Sequence, residues 1–245
     1  MFFHIGRYTT MLSFLFVRPE KFSSYWNRLI EEIIQLGIKS LFMVVLMSAF
    51  MGAVLVIQTA SAIESAWIPD YTVGFTVKQT LILEFCPTII SLILAGKVGS
   101  NIASELGTMR VTEQIDALIT LSTNPMKYLV VPRVLAAVIS LPILVIIADI
   151  IGIMGGFVVG TKTLGFIEQS YIKNTLDIIE LHDVMSGLIK AAVFGFIVAF
   201  MGCYHGYNST GGAQGVGRST TLAVVSASIL ILASNYILTS LVFTN

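Results

Sequence analysis

The chain has 245 residues, of which 56% are hydrophobic and 11% charged, and its mean hydropathy is +0.88. A water-soluble domain carries about 25% charged residues, so this composition excludes one and makes the bilayer the solvent for most of the sequence. Fourteen basic and fourteen acidic residues cancel, which leaves no electrostatic footprint for a nucleic acid.

In chain order, the N-terminal apolar patch has no small-residue cleavage site after it, so a removable signal is not expected. From Phe22 the pattern turns helical: Phe22, Tyr25, Trp26, Leu29, Ile30 and Ile33 share one face. Lys21, Ser24, Asn27, Arg28, Glu31, Glu32 and Gln35 take the other. Residues 1–38 therefore read as an interfacial region whose amphipathic helix lies in the headgroup plane, with a soluble partner-binding helix as the other reading. Residues 39–245 read as a single transmembrane domain.

Five apolar segments reach the roughly 20 residues a spanning helix needs: Ser40–Ile63, Val77–Gly96, Val134–Gly160, Val184–Cys203 and Thr221–Phe243. Backbone in lipid must satisfy its own hydrogen bonds, and no barrel-like alternation is present, so the fold class is all-α and polytopic. The first and last segments are uncharged, whereas Glu84, Asp149 and Lys190 fall inside the middle three. Such charges should face protein or water, and Glu84 and Lys190 lie at similar depths, so they are expected to approach one another. Asp149 has no nameable partner. Pro142 should bend the third span, where Gly152, Gly156 and Gly160 form a small-residue groove suited to close intrachain packing.

Lys and Arg set the orientation. With the N-terminus cytoplasmic, the inner side holds Arg7, Arg18, Lys21, Arg28, Lys39, Lys97, Arg110, Lys127, Arg133 and Arg218. The outer connections keep Lys162 and Lys173 and are otherwise acidic, with Glu64, Asp70, Glu168, Asp177, Glu180 and Asp183. The C-terminus is then periplasmic.

Cys86 and Cys203 both fall in spans and suggest neither a disulfide nor a metal site, and no metal-ligand cluster or nucleophile motif is visible. The stretch Gly212 to Ser219, with Gly215, Gly217 and Arg218, imitates a phosphate-binding loop but has Arg for the required Lys and a membrane helix before it. It is expected to be a tight cytoplasmic turn, not a nucleotide site, so no cofactor is expected on this chain.

The polar connector, 97–133, is the strongest functional signal. Thr112 is placed to cap a short helix bearing Glu113 and Asp116 in its first turns, with Ile115, Leu118 and Ile119 as its apolar face and Asn124-Pro125 as its stop. A rigid helix tied to spans on both sides can carry a push into the membrane.

At these residues the sequence resembles the MlaE-type (YrbE-like) permease family of ABC transporters. The resemblance rests on Ala95 to Ser100, Ala103 to Met109, Thr112 to Leu118, Asn124-Pro125 and Tyr128 to Arg133, with the Gly211 to Thr221 segment in support. Lys97 stands where the family pattern leads one to expect Arg, which keeps the charge but not a planar, bidentate contact. The resemblance implies a homodimeric permease in the bacterial inner membrane, without an ATPase site of its own. An ABC ATPase subunit using ATP and Mg would sit on the cytoplasmic face, an MCE-domain protein on the periplasmic face, and phospholipid would be the cargo, moved between inner and outer membranes in support of outer-membrane lipid asymmetry. The coupling role then falls on Glu105, Leu106, Gly107, Thr108, Met109, Arg110, Thr112, Glu113, Gln114 and Asp116. A lipid cavity between the two copies, lined by the first and last spans, has no portable residue motif. The competing readings are an ion-coupled secondary transporter using Glu84, Asp149 and Lys190, and a membrane scaffold that transports nothing.

Overall fold

The structure, a computed structural model, describes residues 11, 22–63, 71–168 and 181–244. Arg7, Arg18, Lys21, Glu64, Asp70, Lys173, Asp177 and Glu180 lie outside the described residues. The described secondary structure is helical throughout, with five helical runs long and apolar enough to cross a membrane.

The first run joins α1 (Phe22–Ile33) through a π turn, π1 (Ile34–Ile38), to α2 (Lys39–Ala62). The helix continues unbroken across residue 38. Trp26 and Ile30 of α1 stay exposed, while Leu29 and Ile33 turn onto the core and α1 packs along the third run.

The second run joins α3 (Tyr71–Thr80), π2 (Leu81–Phe85), α4 (Cys86–Leu94), π3 (Ala95–Gly99) and α5 (Ser100–Val111). The expected span stopped at Gly96, but the helix continues to Val111, making a rod of 40 residues from Thr72. At 1.5 Å per residue the rod is about 60 Å long, twice the hydrocarbon thickness. It continues because Ile102, Ala103, Leu106 and Gly107 form a buried face between the charges.

After α6 (Gln114–Thr120), π4 (Met126–Val130) leads into α7 (Val131–Lys162), then α8 (Leu181–Tyr207) and α9 (Gly212–Thr244). Pro142 sits inside an unbroken α7. The last run begins at Gly212, not Thr221: the glycine-rich stretch forms the opening turns of α9 and is not a loop. The actual turn lies just before it, where Gly211 and Gly212 take φ +95° and +67°. Helical backbone at Gly215, Gly217 and Arg218 cannot form a phosphate-cradling nest, since its N–H groups are committed along the helix.

Glycines set the packing register. A Cβ on Gly52 would stand 1.8 Å from the Gly152 carbonyl oxygen, and one on Gly156 would meet Val56 at 2.8 Å, so α2 and α7 run in the same direction in near backbone contact. Along α8, Gly187, Gly202 and Gly206 lie against Ile82, Gly99 and Ala103, so α8 runs in the same direction as the second run. Gly195 meets Ala137 and closes α8 onto α7. The groove expected at Gly152 and Gly156 is thus filled from within the chain. This packing gathers π1, π3, α6, π4, the end of α8 and the start of α9 at one end of the bundle.

Candidate functional site: a coupling turn and two ionic knots

The connector end is built around one buried cation. Arg133 opens α7 with a side chain 4% exposed; its Nη2 donates to Glu105 Oε1 at 2.6 Å and its Nε lies 3.1 Å from Glu32 Oε1. Arg28 stands over the Tyr128 ring, 3.5 Å from its centroid, and donates to the Tyr128 carbonyl. One knot therefore ties α1, α5, π4 and α7. Arg28 and Glu32 of α1 are thus committed to protein, while Trp26, Ile30 and Glu31 are exposed.

Beyond this knot α5 ends in a sharp turn. The Thr112 hydroxyl donates back to the Thr108 carbonyl at 2.9 Å, closing α5 instead of capping the helix that follows. Glu113 takes φ +60° and makes no side-chain cap, because a left-handed residue is what reverses the chain within so short a turn. Arg110 and Asp116 bridge the turn at 2.6 Å. Buried Ile115 pins α6 from below. Asn124 does not stop α6, which ends at Thr120; its Oδ1 accepts the Met126 N–H at 3.1 Å and so opens the next helix.

The coupling candidates divide by burial. Leu106 and Gly107 face inward, Gly107 against Val216 of α9, and Met109 packs on the core. Glu105 is held by Arg133. Thr108, Thr112, Glu113, Gln114 and Asp116 remain exposed, and Arg110 is half-buried. Sequence reasoning passed over Leu121, which with Ile119 projects from the end of α6 at 73% and 53% exposure. Its signal was an apolar residue just beyond the apolar face of a polar connector.

A second knot lies in the far half of the bundle. Lys190 Nζ donates to Glu84 Oε1 at 2.7 Å, to the Leu83 carbonyl at 2.9 Å and to Thr239 Oγ1 at 2.8 Å. Thr239 donates to Glu84 Oε1 at 2.7 Å, and Asn235 Nδ2 to Glu84 Oε2 at 2.9 Å. The expected approach of Glu84 and Lys190 is present, and α9 supplies two unforeseen partners. Asn235, polar within an uncharged span, was the readable signal. Asp149 meets the buried Cys86 thiol, a partner that sequence had not named, and its Oδ1 has none.

The sequence model of a family described as Permease MlaE matches residues 29–241. A protein of Rickettsia typhi named "Probable ABC transporter permease protein" is 48% identical over 219 residues, covering 89% of this chain and 84% of that one. The "Intermembrane phospholipid transport system permease protein MlaE" of Haemophilus influenzae is 30% identical over 98% of this chain and 92% of its own length. "Protein TRIGALACTOSYLDIACYLGLYCEROL 1, chloroplastic" of Arabidopsis thaliana is 32% identical over 89% of this chain and 62% of its own.

Proposed function

Because this chain belongs to the MlaE permease family of ABC transporters, we propose that it is the membrane subunit of a machine that moves phospholipid between two membranes, driven by ATP hydrolysis in a separate subunit. The name of the Haemophilus relative supports phospholipid as cargo. The observation that carries the mechanical part is the coupling turn: exposed Ile119 and Leu121 stand on a short helix that Arg110–Asp116 and Ile115 fix to the rod of the second run. An ABC ATPase, with its ATP and Mg, docks there from the cytoplasm. A push on α6 passes along α5 and reaches α7 and α1 through Arg133.

Two copies of the chain form the permease in the inner membrane, N-terminus inside, with an MCE-domain protein on the periplasmic face. In a diderm bacterium this activity supports outer-membrane lipid asymmetry. The ion-coupled alternative draws no support from the geometry, since Glu84 and Lys190 neutralise each other and Asp149 turns to Cys86.

The test is affinity purification in mild detergent, with subunit identification and lipid mass spectrometry, on the native chain and on Leu121→Asp combined with Ile119→Asp. Both side chains are exposed, so the variant keeps the bundle. The native chain should recover an ATPase and phospholipid, and the variant should lose the ATPase. A lone, lipid-free chain, or a variant that binds ATPase and moves lipid at the native rate, refutes the reading.

A further inference from the structure

At the connector end, π1 and π3 face each other across a cleft of about 220 Å³ lined by Gln35, Leu36, Lys39, Lys97, Val98 and Asn101. The Lys97 ammonium donates to the Lys39 carbonyl, which draws two lysines to one opening. The ion pairs among the described residues use Arg110, Arg133 and Lys190 as cations, and neither of these lysines. Two lysines and no carboxylate line the cleft, so an anion bound there would balance their charge. Gln35 and Asn101 add side-chain donors suited to an oxyanion.

The position fixes the source of the anion. Lys39 stands where the uncharged stretch from Ser40 begins, and Lys97 directly follows the apolar stretch ending at Gly96, so both mark the depth of the headgroups. Beside the cleft, Ile38 and Phe42 are 63% and 79% exposed, an apolar strip one turn apart next to Lys39 on which acyl chains can lie. A Cβ on Gly96 would meet nothing within 4 Å, so the surface next to Lys97 is open. Basic pockets between spans at the cytoplasmic leaflet are suited to anionic headgroups.

We propose that this cleft binds the phosphate group of one anionic phospholipid, held as a resident lipid between π1 and π3 and distinct from any transported one. The assignment stands whether or not the chain moves lipid, because residence is measured without ATP.

The experiment is native mass spectrometry of the full chain, with whatever subunits co-purify, after delipidation and titration with phosphatidylglycerol or phosphatidylcholine in detergent. The native protein should retain one phosphatidylglycerol at least tenfold more tightly than phosphatidylcholine. Lys39→Gln, whose side chain is exposed, should remove most of that preference without lowering the unfolding temperature of the lipid-free protein, and Lys97→Gln should do the same. Lys97→Arg should retain the preference and serves if Lys97→Gln misfolds. Equal retention of both lipids, or an unchanged preference in Lys39→Gln, overturns the site. Displacement of phosphatidylglycerol by millimolar inorganic phosphate, with phosphate itself retained, overturns the lipid assignment in favour of a soluble anion.

Discussion

Lys190 is 2% exposed and carries its charge inside the bundle, where an unpaired ammonium is costly. Three partners from two elements remove that cost, Glu84 and the Leu83 carbonyl from π2 and Thr239 from α9, while Asn235 holds the second Glu84 oxygen. Removing Glu84 leaves the buried Lys190 without its carboxylate, and removing Lys190 leaves a half-buried Glu84 without its cation, so Glu84→Gln and Lys190→Met should each lower the unfolding temperature in detergent. The double variant should be less destabilised than the sum of the singles, with a coupling of about 0.5–3 kcal/mol, the range for residues in direct contact. Strict additivity in that cycle removes the pair from the account. The pair was legible from sequence because two opposite charges at matching depth must find each other in lipid. Asn235 and Thr239 were not, since nothing in a periodicity says which face of α9 meets π2. Arg133 was read as a cytoplasmic charge. Its role as the buried centre of Glu32 and Glu105 depends on three elements converging, which spacing alone does not encode.

Among the elements, the spans were legible because lipid imposes length and apolarity, while their ends were not. The second run overshoots by reusing a polar stretch with one buried face, and the last starts early because Gly215 allows α9 to begin against the preceding turn. A Cβ at Gly215 would stand 1.8 Å from the Thr210 carbonyl oxygen. Glycines therefore divide into those that admit a neighbour and those that admit nothing. Gly52→Ala forces α2 away from α7 and should cost about 1–3 kcal/mol as overpacking, read as a lower unfolding temperature. Gly217→Ala, with nothing within 4 Å inside α9, should instead be neutral or gain about 0.5–1 kcal/mol of helix stability. If both changes prove equally tolerated, the close α2–α7 approach is not the register of the bundle. The sequence pointed to Gly152 and Gly156 but passed over Gly52 and the glycines of α8, whose uneven spacing (Gly187, Gly195, Gly202, Gly206) repeats every fourth residue only at its end.

For the whole molecule, α9 is the least buried of the five spans, although one flank is held by α5, α8 and the Glu84–Lys190 knot. Its other flank presents Leu222, Val225, Ile229, Leu232 and Tyr236, each three or four residues after the last, with Tyr236 77% exposed. Lipid alone can cover such a stripe, and so can the same stripe of a second copy across a twofold axis, where residues near the axis meet themselves. A homodimer closed through α9 would put the second knot beside the joint between copies and the coupling turns at one common end. Single cysteines at Ile229 and Tyr236, with buried Cys86 and Cys203 replaced by alanine, separate the two coverings. Oxidation in native membranes should give a disulfide-linked dimer from at least one of these positions, at a yield that does not fall when the protein is diluted into excess lipid. Cross-linking that disappears on dilution assigns the stripe to lipid and removes α9 as a joint between copies, leaving the exposed face of α2, with Phe50 and Val54, as the next surface to probe.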